Sequence, residues 1–435
     1  MTPTSLQSVN ISSRRFGPAA ALALALAVVF TVAIVAMPAA QAQTFAVIHT
    51  FTGGQDGSGP YADLTIDAAG NVYGTTSSTG GSGAGTVFRV QYSVGTWVLN
   101  TLYSFSGDDG AFPYGGVTVA PNGTLYSTTS AGGGIRCGDP FGCGTVFQLR
   151  PPPTAPRTAL FPWSETILYR FTGGSDGANP SGNVILDEAG DIYGVTADGG
   201  DANYGVIYEL ARTRGGWTET VLYSAQSNGD GAVPQGGVVF DRSGNLYGVF
   251  ALNGPYDRGA VYELSPSGSG WTEHTVYDFT GGADGSIPDG QLIIDRSGSL
   301  YGTTSSGGRD AGGTAFEITP DNGGWSFSTL YGFFCVPWLG PCGGSAAKVV
   351  MDGAGNLYGT TVYGGAYERG SVFKLTPSSG GWSYKSLHDF TGGSDGGNPY
   401  GGVTIDANGH IYGTTVFGGQ TPWPNGHGVV FEITP

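Results

Sequence analysis

Asp241-Arg-Ser-Gly-Asn-Leu-Tyr-Gly248 decides how this chain is read, because the chain writes it again and again at a nearly fixed interval. The repeated tyrosines fall at Tyr73, Tyr126, Tyr193, Tyr247, Tyr301, Tyr358 and Tyr412. Five of the six gaps are 53 to 57 residues, and the sixth, 67, is lengthened by a Pro-rich insert around Arg150 to Pro162. Seven copies at such a period mean stacked or radially arranged units, each unable to bury its own faces.

Within the fourth unit, Pro234-Gln-Gly-Gly-Val-Val-Phe-Asp241, Asn245-Leu-Tyr-Gly-Val-Phe250, Gly259-Ala-Val-Tyr-Glu-Leu264 and Trp271-Thr-Glu-His-Thr-Val-Tyr-Asp-Phe279 are short β-branched and aromatic runs. Gly, Asn, Asp, Ser and Pro separate them, which is the pattern of strands joined by turns. Asp-x-x-Gly supplies the tight turn between the first and second strands. Leu-Tyr then puts one side chain on each face of the sheet. No helical periodicity follows residue 42. The predicted fold is therefore all-β, a seven-bladed β-propeller with four-stranded blades. An open β-solenoid is the competitor, but its coils are usually shorter than about 30 residues.

The last unit stops at a third strand, Gly428-Val-Val-Phe-Glu-Ile433, whereas Phe45-Ala-Val-Ile-His-Thr-Phe51 matches a fourth strand such as Ser386-Leu-His-Asp-Phe390. The N-terminal strand is thus expected to complete the seventh blade and close the ring.

Residues 1–42 read as a signal peptide: Arg14 and Arg15, an apolar run from Ala19 to Ala36, and the small-x-small site Ala40-Gln41-Ala42. An uncleaved anchor is the alternative reading of that run. Residues 43–435 form the propeller domain, with no further spanning segment. Cys137 with Cys143, and Cys335 with Cys342, each bracket a short loop and are candidate local disulfides of an exported protein. A four-thiolate zinc site lacks the usual two-residue spacing. With 80 glycines among 435 residues, 17 Lys+Arg and a formal charge of −16, the chain has no basic surface for a phosphate backbone. Nucleic acid is excluded as a partner, and a monomer is expected.

The unit Phe390-Thr-Gly-Gly-Ser-Asp-Gly-Gly-Asn-Pro399, followed by Gly-Gly-Val-Thr-Ile-Asp406, Ile411-Tyr-Gly-Thr-Thr415, Gly418-Gly419 and Val430-Phe431, resembles the GloVer-type tandem repeat of exported bacterial proteins. The resemblance spans about residues 45 to 435. It implies a secreted or surface-attached repeat protein and brings no established reaction or catalytic residues. A more distant likeness, through Pro-x-Gly-Gly-Val-x-x-Asp-x-x-Gly-Asn-Leu-Tyr, is to NHL and streptogramin-lyase-like propellers. It supports a Gly-Val strand innermost in each blade.

In a propeller, the loops entering each blade and those between its second and third strands share one face, where function is sought. The Gly-Gly-x-Asp-Gly loop places Asp56, Asp109, Asp176, Asp230, Asp284 and Asp395 at equivalent positions. Pointing inward, they would form an oxygen-rich site for Ca²⁺, the one cofactor considered; bonding their own backbone, they are turn residues. What does not repeat is the residue after the loop proline. Tyr61, Tyr114 and Tyr400 occupy it in three units that become consecutive on ring closure, against Ser181, Gln235 and Asp289 elsewhere. With Tyr363, Phe417 and Trp423 they form a candidate aromatic surface for sugar rings. The five histidines are scattered, and no nucleophile elbow or phosphate-cradling loop is present. The favoured expectation is a non-catalytic exported protein binding an extracellular glycan or surface protein. The alternative is a secreted carbohydrate-active hydrolase or lyase using loop acids such as Asp198, Asp201, Asp257 and Asp310.

Overall fold

The computed structural model describes residues 43–79, 83–135, 141–152, 162–226, 231–268, 270–334 and 348–435. The signal peptide, Asp230, Cys137, Cys335 and Cys342 lie outside these residues. Thr44–Thr434 form one compact unit; the other, Met1–Gln43 with Pro435, lies almost wholly outside the described residues.

Twenty-eight strands and no helix are present among the described residues, arranged as a β-propeller. The fourth unit folds as its sequence pattern anticipates, into Ala232–Phe240, Leu246–Leu252, Ala260–Ser267 and Gly270–Asp278, each antiparallel to the next. The turn between its first two strands is closed by Asp241, whose carboxylate accepts from the Ser243 and Asn245 N–H groups (2.7 and 2.9 Å) and from Asn245 Nδ2 (2.9 Å). No described helix is long and apolar enough to cross a membrane.

Five four-stranded sheets and one eight-stranded sheet are formed. The larger sheet differs from the expectation of seven separate sheets, and its cause is local. The third and fourth units are linked through one parallel pairing of their inner strands, Asn183↔Gly237. It exists because glycines bring the two backbones together: a Cβ on Gly237 would lie 2.3 Å from the Asn183 carbonyl oxygen. The N-terminal strand Thr44–Thr50 pairs antiparallel with Val429–Thr434, and the sheet continues through Ile411–Thr415 to Thr404–Ile405.

Neighbouring units are keyed together by aromatic rings. A phenylalanine ending the outer strand of one unit meets the ring on the third strand of the next: Phe105 on Phe147, Phe171 on Tyr208, Phe279 on Phe316, Phe333 on Phe373 and Phe390 on Phe431, with centroids 5.0 to 5.3 Å apart. Phe51 of the N-terminal strand does the same on Phe88, at 5.3 Å. At the remaining junction Ala225 replaces the phenylalanine, and Phe250 packs on Tyr262 at 4.4 Å. The Gly of Leu-Tyr-Gly faces these third-strand rings: a Cβ on Gly248 would lie 2.3 Å from the Tyr262 hydroxyl. Each hydrophobic cluster accordingly spans two units, as Val249, Val261 and Phe279 do with Leu292, Leu300 and Phe316.

The Thr-Thr pair after Tyr-Gly also has a physical role. The first threonine reaches the next inner strand, as in Thr75 Oγ1 to the Gly115 carbonyl (3.2 Å), Thr360 to Gly401 (2.9 Å) and Thr414 to Pro60 (3.1 Å). The second pairs within its own sheet, Thr76 with Thr86 at 2.7 Å and Thr304 with Thr314 at 2.9 Å. In these examples both hydroxyls are buried and satisfied, whereas the equivalent Thr128 Oγ1 of the second unit is buried without a partner.

Removing residues 43–52 would strip the Val429–Thr434 edge and withdraw fully buried Phe51 from its junction. The truncated protein should lose more than about 5 kcal/mol of stability, since deleting a buried Phe side chain alone costs about 3–5 kcal/mol. Thermal unfolding measures this, and an unchanged melting temperature contradicts it.

Candidate functional site

Each of the five described Asp-Gly loops is a self-contained turn. Asp176 accepts from Thr172 N (2.8 Å), Thr172 Oγ1 (2.6 Å) and the outer-strand Tyr169 hydroxyl (3.1 Å). Asp284 repeats this with Thr280 and Tyr277, and Asp109 does so with Ser106 and Tyr103. In Asp56 and Asp395 the tyrosine is replaced by His49 and His388, each with Nε2 3.2 Å from the carboxylate, alongside Thr52 and Thr391. The hydrogen bonds hold both of these carboxyls below the usual range despite burial. Five of the six predicted aspartates thus spend their oxygens on their own loops. No group of three or more His, Cys, Asp or Glu side chains suited to a metal is present among the described residues.

Two glutamates behave differently. Glu165 and Glu219 sit at equivalent outer-strand positions, and burial first, then the charge of Asp109 or Asp176 respectively, pushes each up to about 7; Arg170 partly counters this at Glu165. One buried oxygen of each has no hydrogen-bond partner, and neither does the Tyr208 hydroxyl, which Glu219 faces.

The predicted tyrosines do come together. Tyr61 lies edge-on to Tyr114 with centroids 5.4 Å apart, and 5.1 Å from Tyr400, whose hydroxyl is 3.4 Å from that of Tyr363. Tyr114 is 46% exposed while the other three are half-buried, so the cluster presents rings to solvent over a packed base. Burial and neighbouring phenols hold Tyr61 and Tyr400 above the usual phenol range, so both are neutral donors at physiological pH. In the first, second and seventh units the inner strand meets the second strand near that level through the isolated bridges Ser58↔Ser78, Ala111↔Ala131 and Gly397↔Phe417 and single backbone hydrogen bonds beside them, such as Ser77 N–H to the Gly59 carbonyl (2.9 Å). Units three to five carry Ser181, Gln235 and Asp289 in continuous nine-residue strands.

Phe417 and Trp423 stand apart from this cluster. Phe417 bridges Gly397 through its backbone, and exposed Trp423 lies under Arg369, whose guanidinium carbon is 3.8 Å from the ring centroid. Among the loop acids, Asp198 accepts from Asn179 Nδ2 at 2.7 Å, the Asp201 N–H donates to Ser224, and no hydrogen bond joins any two of Asp198, Asp201, Asp257 and Asp310. Cys143 is fully buried, and no described cysteine is a free thiol.

The motif hid a polar network at the axis. Asp63 Oδ1 accepts from the Gly402 N–H (2.6 Å) and Oδ2 from Asn183 Nδ2 (3.3 Å), while Asn183 Oδ1 accepts from the Gly116 N–H (2.6 Å). Four units are tied by two side chains. Asp289 stands in the tyrosine position of unit five; burial, and the charge of Asp63, raise its carboxyl against the opposing Gly290 N–H at 2.9 Å.

The model of the Gloeobacter/Verrucomicrobia repeat matches residues 29–166, 135–337 and 284–435. No curated protein matches the sequence. Among solved structures, a protein provisionally described as a 6-phosphogluconolactonase from Bacteroides uniformis is 15% identical, covering 76% of this chain and 84% of its own, with a TM-score of 0.45. A provisionally described oxidoreductase (glucose dehydrogenase) from Thermus thermophilus is 14% identical over 90% of this chain and 100% of its own, at 0.42. A polysaccharide lyase, an ulvan lyase, is 10% identical over 90% and 93%, at 0.49.

The two raised glutamates set a pH dependence. Their unfolded value is about 4.3, so the stability held by the neutral carboxyls is full below that and is lost as the pH rises through about 7. Glu165→Gln combined with Glu219→Gln keeps both positions neutral. Its melting temperature should gain on the parent more at pH 8 than at pH 5; an equal difference at both pH values contradicts the assignment.

Proposed function

Because the chain belongs to the Gloeobacter/Verrucomicrobia repeat family, we propose its function from what the units do not share. The reading is an exported, non-catalytic seven-bladed propeller that binds an extracellular glycan through its loop face. Seven blades follow if the eight-stranded sheet is counted as two units joined by the single pairing Asn183↔Gly237. The N-terminal strand then completes the seventh blade. Export by the segment 1–42 and local disulfides Cys137–Cys143 and Cys335–Cys342 belong to the same proposal.

The observation that carries it is the cluster of Tyr61, Tyr114, Tyr363 and Tyr400, gathered from the first, second, sixth and seventh units. Folding alone asks for the same residue in every blade, and Ser181, Gln235 and Asp289 show that tyrosine is not required there. The ring of exposed Tyr114 and the half-buried rings beside it offer stacking area and hydroxyl partners to a sugar, and the amide and carboxyl of Gln235 and Asp289 supply polar groups at the same level.

Purified mature protein should bind neutral oligosaccharides on a glycan array without releasing products. Tyr61→Ala with Tyr400→Ala should weaken binding at least about tenfold, the worth of one to two aromatic contacts. Absence of glycan binding, or undiminished binding by the double variant, contradicts the proposal. Product formation abolished by Asp289→Asn would favour the hydrolase or lyase reading instead.

A further inference from the structure

The opposite end of the inner strands carries a second departure from the repeat. The residue following the turn position, an aspartate in six units and Ala120 in the second, is Ala68, Pro121, Glu188, Gly353 or Ala407 in five units, but Arg242 and Arg296 in the adjacent fourth and fifth. Both arginines line one cavity of about 870 Å³. Neither guanidinium makes a hydrogen bond or ion pair among the described residues, although Asp241, Asp295 and Asp352 line the same cavity.

Those carboxylates are committed elsewhere. Asp241 accepts three hydrogen bonds from Ser243 and Asn245. Asp295 accepts from Ser297 N and Oγ, Ser299 N and the Tyr301 hydroxyl, and Asp352 from Ala354 N, Asn356 N and Nδ2 and the Tyr358 hydroxyl. Each carboxylate thus keeps its charge while neutral donors of its own unit fill its lone pairs, and the charged groups in the cavity without a hydrogen-bond or ion-pair partner are the two guanidinium groups. The planar fork of arginine fits the two oxygens of a carboxylate or sulfate.

The rest of the lining specifies what bears the anion. Half-buried Phe240 and Met351 contribute apolar surface, and Ser243 and Ser297 are exposed beside the arginines. A neighbouring cleft of about 440 Å³, running toward Trp325, shares Asp241, Ile294 and Gly298 with the cavity, so the combined groove suits a short chain of rings better than a lone ion. We propose that this turn-face groove binds an acidic oligosaccharide, holding a carboxylate or sulfate between Arg242 and Arg296. The site is separate from the tyrosine cluster: Tyr61 and Asp67 bracket the inner strand, and six residues of extended chain span roughly 20 Å.

Isothermal titration of the mature protein with a galacturonic acid trisaccharide, a sulfated galactose trisaccharide, the neutral galactose trisaccharide and sodium sulfate tests this. At least one acidic trisaccharide should bind at least tenfold more tightly than the neutral one, and whichever does so assigns carboxylate or sulfate. Affinity should fall with added salt. Arg242→Gln with Arg296→Gln should reduce it at least tenfold with an unchanged melting temperature, whereas Arg214→Gln, at an exposed arginine outside the groove, should leave it intact. No acidic preference, an undiminished double variant, or sulfate ion binding as tightly as the sulfated sugar would overturn the proposal.

Discussion

The backbones of neighbouring inner strands touch near the axis, and the rest of the structure depends on that contact. A Cβ on Gly182 would lie 2.3 Å from the Gly236 carbonyl carbon, and one on Gly236 would lie 2.2 Å from that of Gly290. The same closeness recurs from Gly115 to the Gly182 carbonyl oxygen and from Gly401 to that of Ala62, both at 2.5 Å. Separations this short leave no room for a side chain. They set how near the sheets stand, and so let the phenylalanine keys and the threonine hydroxyls reach the next unit.

A repeated sheet with two apolar faces has to be covered on both, and the units cover one another. The aromatic junctions supply most of the burial, and Asp63 and Asn183 tie four units through three backbone or side-chain amides. Because those two side chains occur once each, they break the equivalence of the units in the middle of the ring.

Much of the fold was legible because a repeat repeats its reasons. Asp-x-x-Gly, Leu-Tyr-Gly and Thr-Thr each answer a local steric or hydrogen-bonding demand, and the N-terminal strand was recognisable from its likeness to other outer strands. The neighbourhood of Tyr61, Tyr114 and Tyr400 followed from closure alone. The loop aspartates could be read in two ways, since Thr-x-Gly-x-Asp suits both a turn and an oxygen ligand; only the placement of Thr172 and Tyr169 around Asp176 shows where its lone pairs go. The linked third and fourth sheets and the Asp63–Asn183 contact were hidden, because residues 120 apart in the chain meet through backbone proximity that no local pattern encodes. Trp423 was grouped with the tyrosines by loop position, yet it pairs with Arg369, a neighbour that periodicity does not reveal.

Two glycines with the same backbone need and different surroundings isolate the central claim. Gly236 and Gly244 both have positive φ, +73° and +87°, but a Cβ on Gly236 would meet the neighbouring backbone whereas one on Gly244 meets nothing within 4 Å. Alanine at Gly244 should cost about 1 kcal/mol through backbone strain. Alanine at Gly236 adds the collision and should cost a further 1–3 kcal/mol or so, or prevent folding. Denaturant unfolding of the two variants side by side is the measurement: a clearly larger loss at Gly236 is the result this account requires, and equal losses would contradict it.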